Sequence, residues 1–261
     1  MYNIRKEIVI YAPNVKAKDM YYTSHSTELN RTHGISPQST CAVIGNGGIL
    51  LNSSCGKEID AHDFVMRTNL PDLKRFGEDV GQKQNITTFN HQATLLFAEK
   101  FISESKTARE MARRRLGDLN GSIMWHPLGS NGTSRRIFKR IVTISRALSI
   151  YFQVGYALES SLVLTKNFSH SLRYWGTALP SSGLNLVTAA VTFCDKISLY
   201  RFYPFHTDRY NNSLKYHYYH DFDDLKFDFN TNIHQMPTEY IKLTELHEQG
   251  IVRLVTDKCA H

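Results

Sequence analysis

Apolar positions along the chain fall into two patterns. Short apolar blocks, with Cys41-Ala42-Val43-Ile44 and Phe64-Val65-Met66 the clearest, read as strands. Longer stretches with apolar residues at helical spacing separate them. The pattern predicts strands at 41–45, 63–68, 85–89, 121–125, 197–202 and 251–255. It predicts helices near 91–117, 134–156, 183–194 and 237–249, with Gly250 as a stop after the last. Such alternation predicts a single α/β domain: a mainly parallel, twisted sheet flanked by helices. Residues 1–38 are polar, with few apolar periods, and read as an irregular, stem-like lead-in to a domain spanning 39–261. No internal repeat, low-complexity tract or interdomain linker interrupts it.

At 261 residues the chain can bury a large core. A net charge of +7 favours anionic partners: nucleic acids, anionic lipids, sugar nucleotides or acidic glycans. No nucleic-acid-reading motif is present and the aromatics are scattered, so nucleic acid is set aside as a partner. No window approaches the length of apolar chain that spans a bilayer, and the start, MYNIRKEIVIYAP, is no secretory signal. Yet Asn-x-Ser/Thr acceptors occur at Asn30, Asn52, Asn85, Asn120, Asn131, Asn167 and Asn211. Together they favour the secretory pathway. The expectation is an N-terminal membrane anchor that this chain lacks. The four cysteines, Cys41, Cys55, Cys194 and Cys259, are widely spaced with no Cys-x-x-Cys, which opposes a zinc ribbon or thioredoxin site. In a secreted chain they read as two disulfides, with three pairings open.

Several segments carry candidate chemistry. The turn Gly45-Asn46-Gly47-Gly48 follows a strand, and its glycines suit close approach to a phosphorylated ligand. Leu50 stands where a dinucleotide fingerprint needs glycine. Asn46 and Asn69, at two strand ends, offer donors and acceptors for a nucleotide. Pro180-Ser181-Ser182-Gly183-Leu184 opens an apolar helix running to Cys194. A serine there caps the helix, and the same geometry suits a carboxylate or phosphate. Two His-rich segments follow, His217-Tyr218-Tyr219-His220-Asp221 and His234-Gln235-Met236-Pro237-Thr238-Glu239. In the second, Pro237 and Glu239 suit a helix start. Asp221-Phe222-Asp223 matches a metal–diphosphate pattern. Arg109 with Arg113–Arg115, and Arg135-Arg136 with Lys139-Arg140, read as solvated helix faces or as a guide for an anionic glycan.

In this order the segments resemble the sialylmotifs of animal-type sialyltransferases. The large motif corresponds to 41–69, the small one to 180–194, the third to 217–221 and the very small one to 234–239. His220 intervenes before the acid of the third. Met236-Pro237 and the cysteines at 55 and 259 resemble the α2,8 branch. The resemblance implies a variant glycosyltransferase-A, Rossmann-like fold with disulfides Cys41–Cys194 and Cys55–Cys259. It implies inverting transfer of sialic acid from the donor CMP-sialic acid to a sialylated glycoprotein or glycolipid, without metal or other cofactor. His234 corresponds to the base. His217, Ser181, Ser182 and Gly183 correspond to groups meeting the donor phosphate or carboxylate. Asn46 and Asn69 correspond to nucleotide contacts, and Tyr203 would pack on the base ring. The family's setting is the Golgi lumen, as type II membrane proteins. Transfer in α2,3 or α2,6 linkage, and a catalytically silent sialoglycan-binding homologue, are the alternatives. A cytosolic nucleotide-binding oxidoreductase is opposed by the broken glycine fingerprint, the sequons and the cysteine placement.

Overall fold

The computed structural model describes residues 8–11, 31–32, 35–126, 141–145, 147–157, 180–219, 229 and 234–259. Among the described residues nine strands occur: β1 (Ile8–Tyr11), β2 (Arg31–Thr32), β3 (Gln38–Ile44), β4 (Phe64–Arg67), β5 (Ile86–Thr88), β6 (Ile123–His126), β7 (Gln153–Ala157), β8 (Cys194–Tyr200) and β9 (Arg253–Val255). The helices are α1 (Gly56–Asp60), α2 (Gly77–Val80), α3 (His91–Ile102), α4 (Lys106–Gly117), α5 (Ser182–Ala190) and α6 (Met236–Glu248). All strands join one sheet, ordered β2-β1-β7-β6-β5-β4-β3-β8-β9. From β7 to β9 every pairing is parallel, while β1 runs antiparallel to β7 and to β2.

A parallel sheet covered on both faces needs strands that are apolar on both faces. The last four residues of β3 and all of β4 are accordingly buried. Alternate residues serve opposite layers. Cys41, Val43, Phe64, Met66 and Leu199 pack under Leu184, Val187 and Leu243 of α5 and α6. Ala42, Ile44, Val65 and Tyr200 pack on the other face with Ile59, Val80 and Tyr218. A third cluster, including Phe89, Phe97, Leu116 and Phe152, lies beneath α3 and α4.

Cys41–Cys194 joins two neighbouring strands, with Cα atoms 6.0 Å apart. Cys55–Cys259 joins the start of α1 to the C-terminal segment, with Cα atoms 4.9 Å apart. Both pairings are those the family resemblance implies.

Several elements differ from the sequence expectation: the helix expected to run from 183 to 194 ends at Ala190, and Cys194 opens β8. The helix expected at 91–117 is broken at Ser103–Ser105, because Ser105 caps α4 by accepting from the Ala108 N–H. Only part of the helix expected at 134–156 falls among the described residues. There, 141–145 is helical but 153–157 is strand β7, held between β6 and β1. Long-range pairing overrides local propensity at that point. The segment 1–38, expected to be irregular, contributes β1, β2 and the first residue of β3 to the sheet.

The chain steps outward from β3 through β4, β5 and β6 to β7, then returns to place β8 and β9 on the other side of β3. Strand order therefore reverses between β3 and β8. In open parallel sheets such a switch point leaves a crevice at the carboxyl ends of the strands.

Candidate active site

The segment after β3 forms one wall of that crevice. Gly45 N–H donates to the Tyr200 carbonyl at 2.9 Å, Gly48 N–H to Lys215 at 3.1 Å, and Tyr218 N–H to Asn46 at 3.0 Å. Gly47 bridges His217 in an antiparallel pair. Residues 217–218 of the third motif are thus laid directly on the glycine turn. A Cβ at Gly48 would sit 2.2 Å from the Lys215 oxygen, inside any van der Waals contact. The close approach that these glycines permit is therefore, at Gly48, an approach of the chain's own backbone and not of a ligand.

Asn46 is buried, and its Nδ2 donates to the Thr68 carbonyl at 2.9 Å and to the Tyr219 hydroxyl at 3.0 Å. Asn69 and Leu70 both have left-handed backbones, with φ of 56° and 49°. Asparagine tolerates that region, whereas leucine is strained in it. The turn is held on both sides. Asn69 and Leu70 donate their N–H groups to the hydroxyls of Thr88 and Thr87, each at 3.1 Å. Arg115 Nε donates to the Leu70 carbonyl at 2.7 Å and Nη2 to that of Asn69 at 3.3 Å. Strain of this kind persists only where the surroundings over-determine it, and it concentrates at sites that do chemistry.

The opposite wall is the N-terminus of α5. Ser181 Oγ accepts from Leu184 N–H at 3.2 Å, and Ser181 N–H donates to Glu239 Oε1 at 2.8 Å. Ser182 Oγ accepts from Asn90 Nδ2 at 3.1 Å, and Asn90 N–H donates to Asn69 Oδ1 at 3.3 Å. The amides of Ser182 and Gly183, first in a nine-residue helix, have no intrahelical acceptor and face outward from its positive end. Glu239 is buried. Burial pushes its carboxyl above the usual range, while the Ser181 hydrogen bonds and nearby His234 pull it back.

These walls enclose a cavity of about 210 Å³. Asn46, Asn69, Ser181, Ser182, Gly183, Tyr203, His217 and His234 all line it. The structure thus brings together the eight residues that the family resemblance implies for the donor site, from segments far apart in the chain. His217 stacks on Tyr219 with ring centroids 5.0 Å apart. Tyr203 sits edge-on to Phe205 and Tyr240, at 4.8 and 5.8 Å. Burial there raises the Tyr203 phenol above its ordinary value. Asp221 and Asp223, and the basic stretch 135–140, lie outside the described residues.

Asn90, Arg115, Tyr219 and the inward-turned Glu239 also line the cavity and were missed as site residues. Glu239 reads locally as a helix-start residue, and Asn90 was not singled out; it caps α3 by accepting from the Ala93 N–H. Arg113–Arg115 reads as one solvated face, which the structure corrects. Successive helical residues point about 100° apart, so the three side chains diverge. Arg113 is exposed, Arg114 reaches the buried Asp72, and Arg115 is buried against the cavity. Nothing in the local sequence distinguishes the third arginine from the first.

Known proteins resemble this chain in sequence and in fold. A family profile described as glycosyltransferase family 29 (sialyltransferase) matches residues 11–251. An alpha-N-acetylneuraminide alpha-2,8-sialyltransferase of Xenopus laevis is 32% identical over 250 residues. That match covers 88% of this chain, which spans 64% of the relative's length. Among solved structures, a mammalian sialyltransferase superposes with a TM-score of 0.56 at 21% identity, covering 84% of this chain and 70% of that one. A mammalian sialyltransferase in complex with Gal-beta-1-3GalNAc-ortho-nitrophenol gives 0.51 at 19%, with the same coverage. At these identities the two structures speak to the fold.

Proposed function

The chain belongs to glycosyltransferase family 29, the sialyltransferases, and from that premise we propose that it transfers sialic acid from CMP-sialic acid to a sialylated glycan, forming an α2,8 linkage. The observation that carries this reading is the convergence of two strand-end asparagines, a helix N-terminus and two histidines on one cavity. The α2,8 linkage is supported by the description of the Xenopus relative, by Met236-Pro237 and by the Cys55–Cys259 bridge.

In the proposed reaction the acceptor hydroxyl oxygen attacks the anomeric carbon of the donor sialic acid, opposite the phosphate. The bond from that carbon to the phosphate oxygen breaks, and CMP leaves with the electron pair. Configuration at the carbon inverts. His234 takes the hydroxyl proton, a role that suits imidazole because its ordinary pKa lies near working pH. The free amides of Ser182 and Gly183, the α5 dipole and His217 meet the negative charge on the departing phosphate. Asn46 and Asn69 hold the nucleotide, and Tyr203 packs on its base. CMP-sialic acid carries one phosphate, already esterified. Its charge matches a helix N-terminus, so the reading includes neither metal nor other cofactor. The acceptor is a sialylated glycoprotein or glycolipid, and the setting is the Golgi lumen, reached through an N-terminal anchor.

The test is product formation from labelled CMP-sialic acid on a panel of sialylated acceptors in excess chelator, followed by linkage analysis. Wild-type protein is expected to give α2,8 product, and folded His234→Ala to lose about two orders of magnitude or more in turnover. Near-normal turnover by His234→Ala removes the base assignment, and α2,3 or α2,6 product removes the linkage. A requirement for added Mn²⁺ turns attention to Asp221 and Asp223. Donor binding without product would identify a silent binding homologue.

A further inference from the structure

We propose that Arg115 is the positioning residue of the donor pocket, one buried cation that fixes both nucleotide asparagines and the phosphate-facing histidine. The inference rests on the CMP-sialic acid reading of the cavity. Arg115 lies on α4, outside all four motif segments, and is only 4% exposed. Two kinds of contact of its guanidinium carry the argument. Nε and Nη2 donate to the consecutive carbonyls of Leu70 and Asn69, the two left-handed residues of the turn after β4. Its central carbon lies 4.8 Å from the centroid of the Tyr219 ring.

Each contact leads to a ligand-facing group. Asn69 is held directly through its own carbonyl. Tyr219 accepts from Asn46 Nδ2 through its hydroxyl at 3.0 Å and stacks on His217 through its ring. Arg115 therefore braces Asn69 at first hand, and Asn46 and His217 through a single intermediate. Two adjacent carbonyls in a left-handed turn need a forked donor of fixed geometry. The planar guanidinium supplies that fork, whereas an ammonium does not. Its permanent charge also faces a cavity proposed to take a phosphate and a carboxylate.

The experiment is CMP titration by calorimetry on wild type, Arg115→Lys, Arg115→Ala, Tyr219→Phe and the Arg115→Lys/Tyr219→Phe pair. Melting curves and donor and acceptor KM values accompany each. Arg115→Lys keeps the charge and is expected to fold. It should weaken CMP binding about tenfold and raise the donor KM by a similar factor, with the acceptor KM unchanged. Because both side chains act on Asn46, the pair should lose less than the product of the single losses. Arg115→Lys that binds CMP as wild type does, or strictly multiplicative losses in the pair, overturns the proposal. So does a melting defect in Arg115→Ala accompanied by full CMP affinity in its folded fraction. Should Arg115→Ala fail to fold, Arg115→Lys decides. Wild-type protein that does not bind CMP overturns the donor reading itself, an outcome distinct from failure of the Arg115 assignment.

Discussion

Asp118, just beyond α4, offers a quantitative test of the packing beneath the site. Its side chain is 6% exposed, with Lys74 Nζ 4.0 Å from Oδ1. Oδ2 is buried without a hydrogen-bond partner among the described residues. Burial raises its pKa from an ordinary 3.8 to about 6, assisted by the Asp72 charge and opposed by Lys74, the Leu73 amide and Arg114. A raised carboxyl pKa means that folding favours the protonated form. The stability it confers is complete below the unfolded value and is lost as pH rises through about 6. At ~1.4 kcal/mol per pH unit, the charged state costs at most about 3 kcal/mol above that pH. Asp118→Asn removes the charge but keeps a polar group to bury, so the expected gain at pH 8 is about 1–2 kcal/mol. That corresponds to a melting point higher by about 3–6 °C. Toward pH 4 the folded carboxyl is protonated, most of the charge cost is gone and the gain fades. Urea unfolding of both proteins under non-reducing conditions from pH 4 to 8 measures this. No gain at pH 8, or a gain that does not vary with pH, would refute a desolvated carboxylate at this position.

Other consequences concern the framework. Gly48→Ala places a methyl group against the Lys215 carbonyl, so the 215–219 segment must move. Overpacking of that kind costs about 1–3 kcal/mol and should weaken CMP binding in parallel, as melting and calorimetry would show. The bridges close separations of 153 and 204 residues, for which chain entropy assigns about 5 kcal/mol each, less any native strain. Replacing Cys55 and Cys259 together by alanine should lower unfolding free energy by about 2–5 kcal/mol, and thiol titration of denatured, unreduced wild type should read near zero. Asn85 Oδ1 accepts from the Val65 N–H at 2.8 Å inside the sheet layer. In secretory cells its sequon should remain unmodified, while Asn52 and Asn211 are exposed to the glycosylation machinery. Peptide mass spectrometry would detect a glycan at Asn85 and so contradict that placement.

How much was legible in the sequence varied by element. Strands β3, β4, β5, β6, β8 and β9 were readable because each lies in a short stretch rich in apolar or β-branched residues. Strand β7 was not, since its conformation comes from pairing with β6 on one side and β1 on the other. Asn46, Asn69 and Ser182 stood out because their residue types and local settings suit a nucleotide or an anion, and His234 through its place in the resemblance to the sialylmotifs. Arg115 and Glu239 did not, because alone each resembles its solvated counterparts elsewhere in the chain.

The amino-acid sequence by itself determined most of the strand-and-helix alternation, the serine cap of α5, the glycine turn and the order of the four motif segments. These depend on periodicity and on contacts within a few residues, which any reader of the chain can count. The tertiary structure decided the sheet order, the side to which each arginine of α4 turns, and the run of hydrogen bonds from Asn69 through Asn90 to Ser182. It also decided that the glycine at 48 admits the chain's own carbonyl. Those features arise between residues separated by tens to hundreds of positions, where loop closure and competing partners, not local preference, set the outcome.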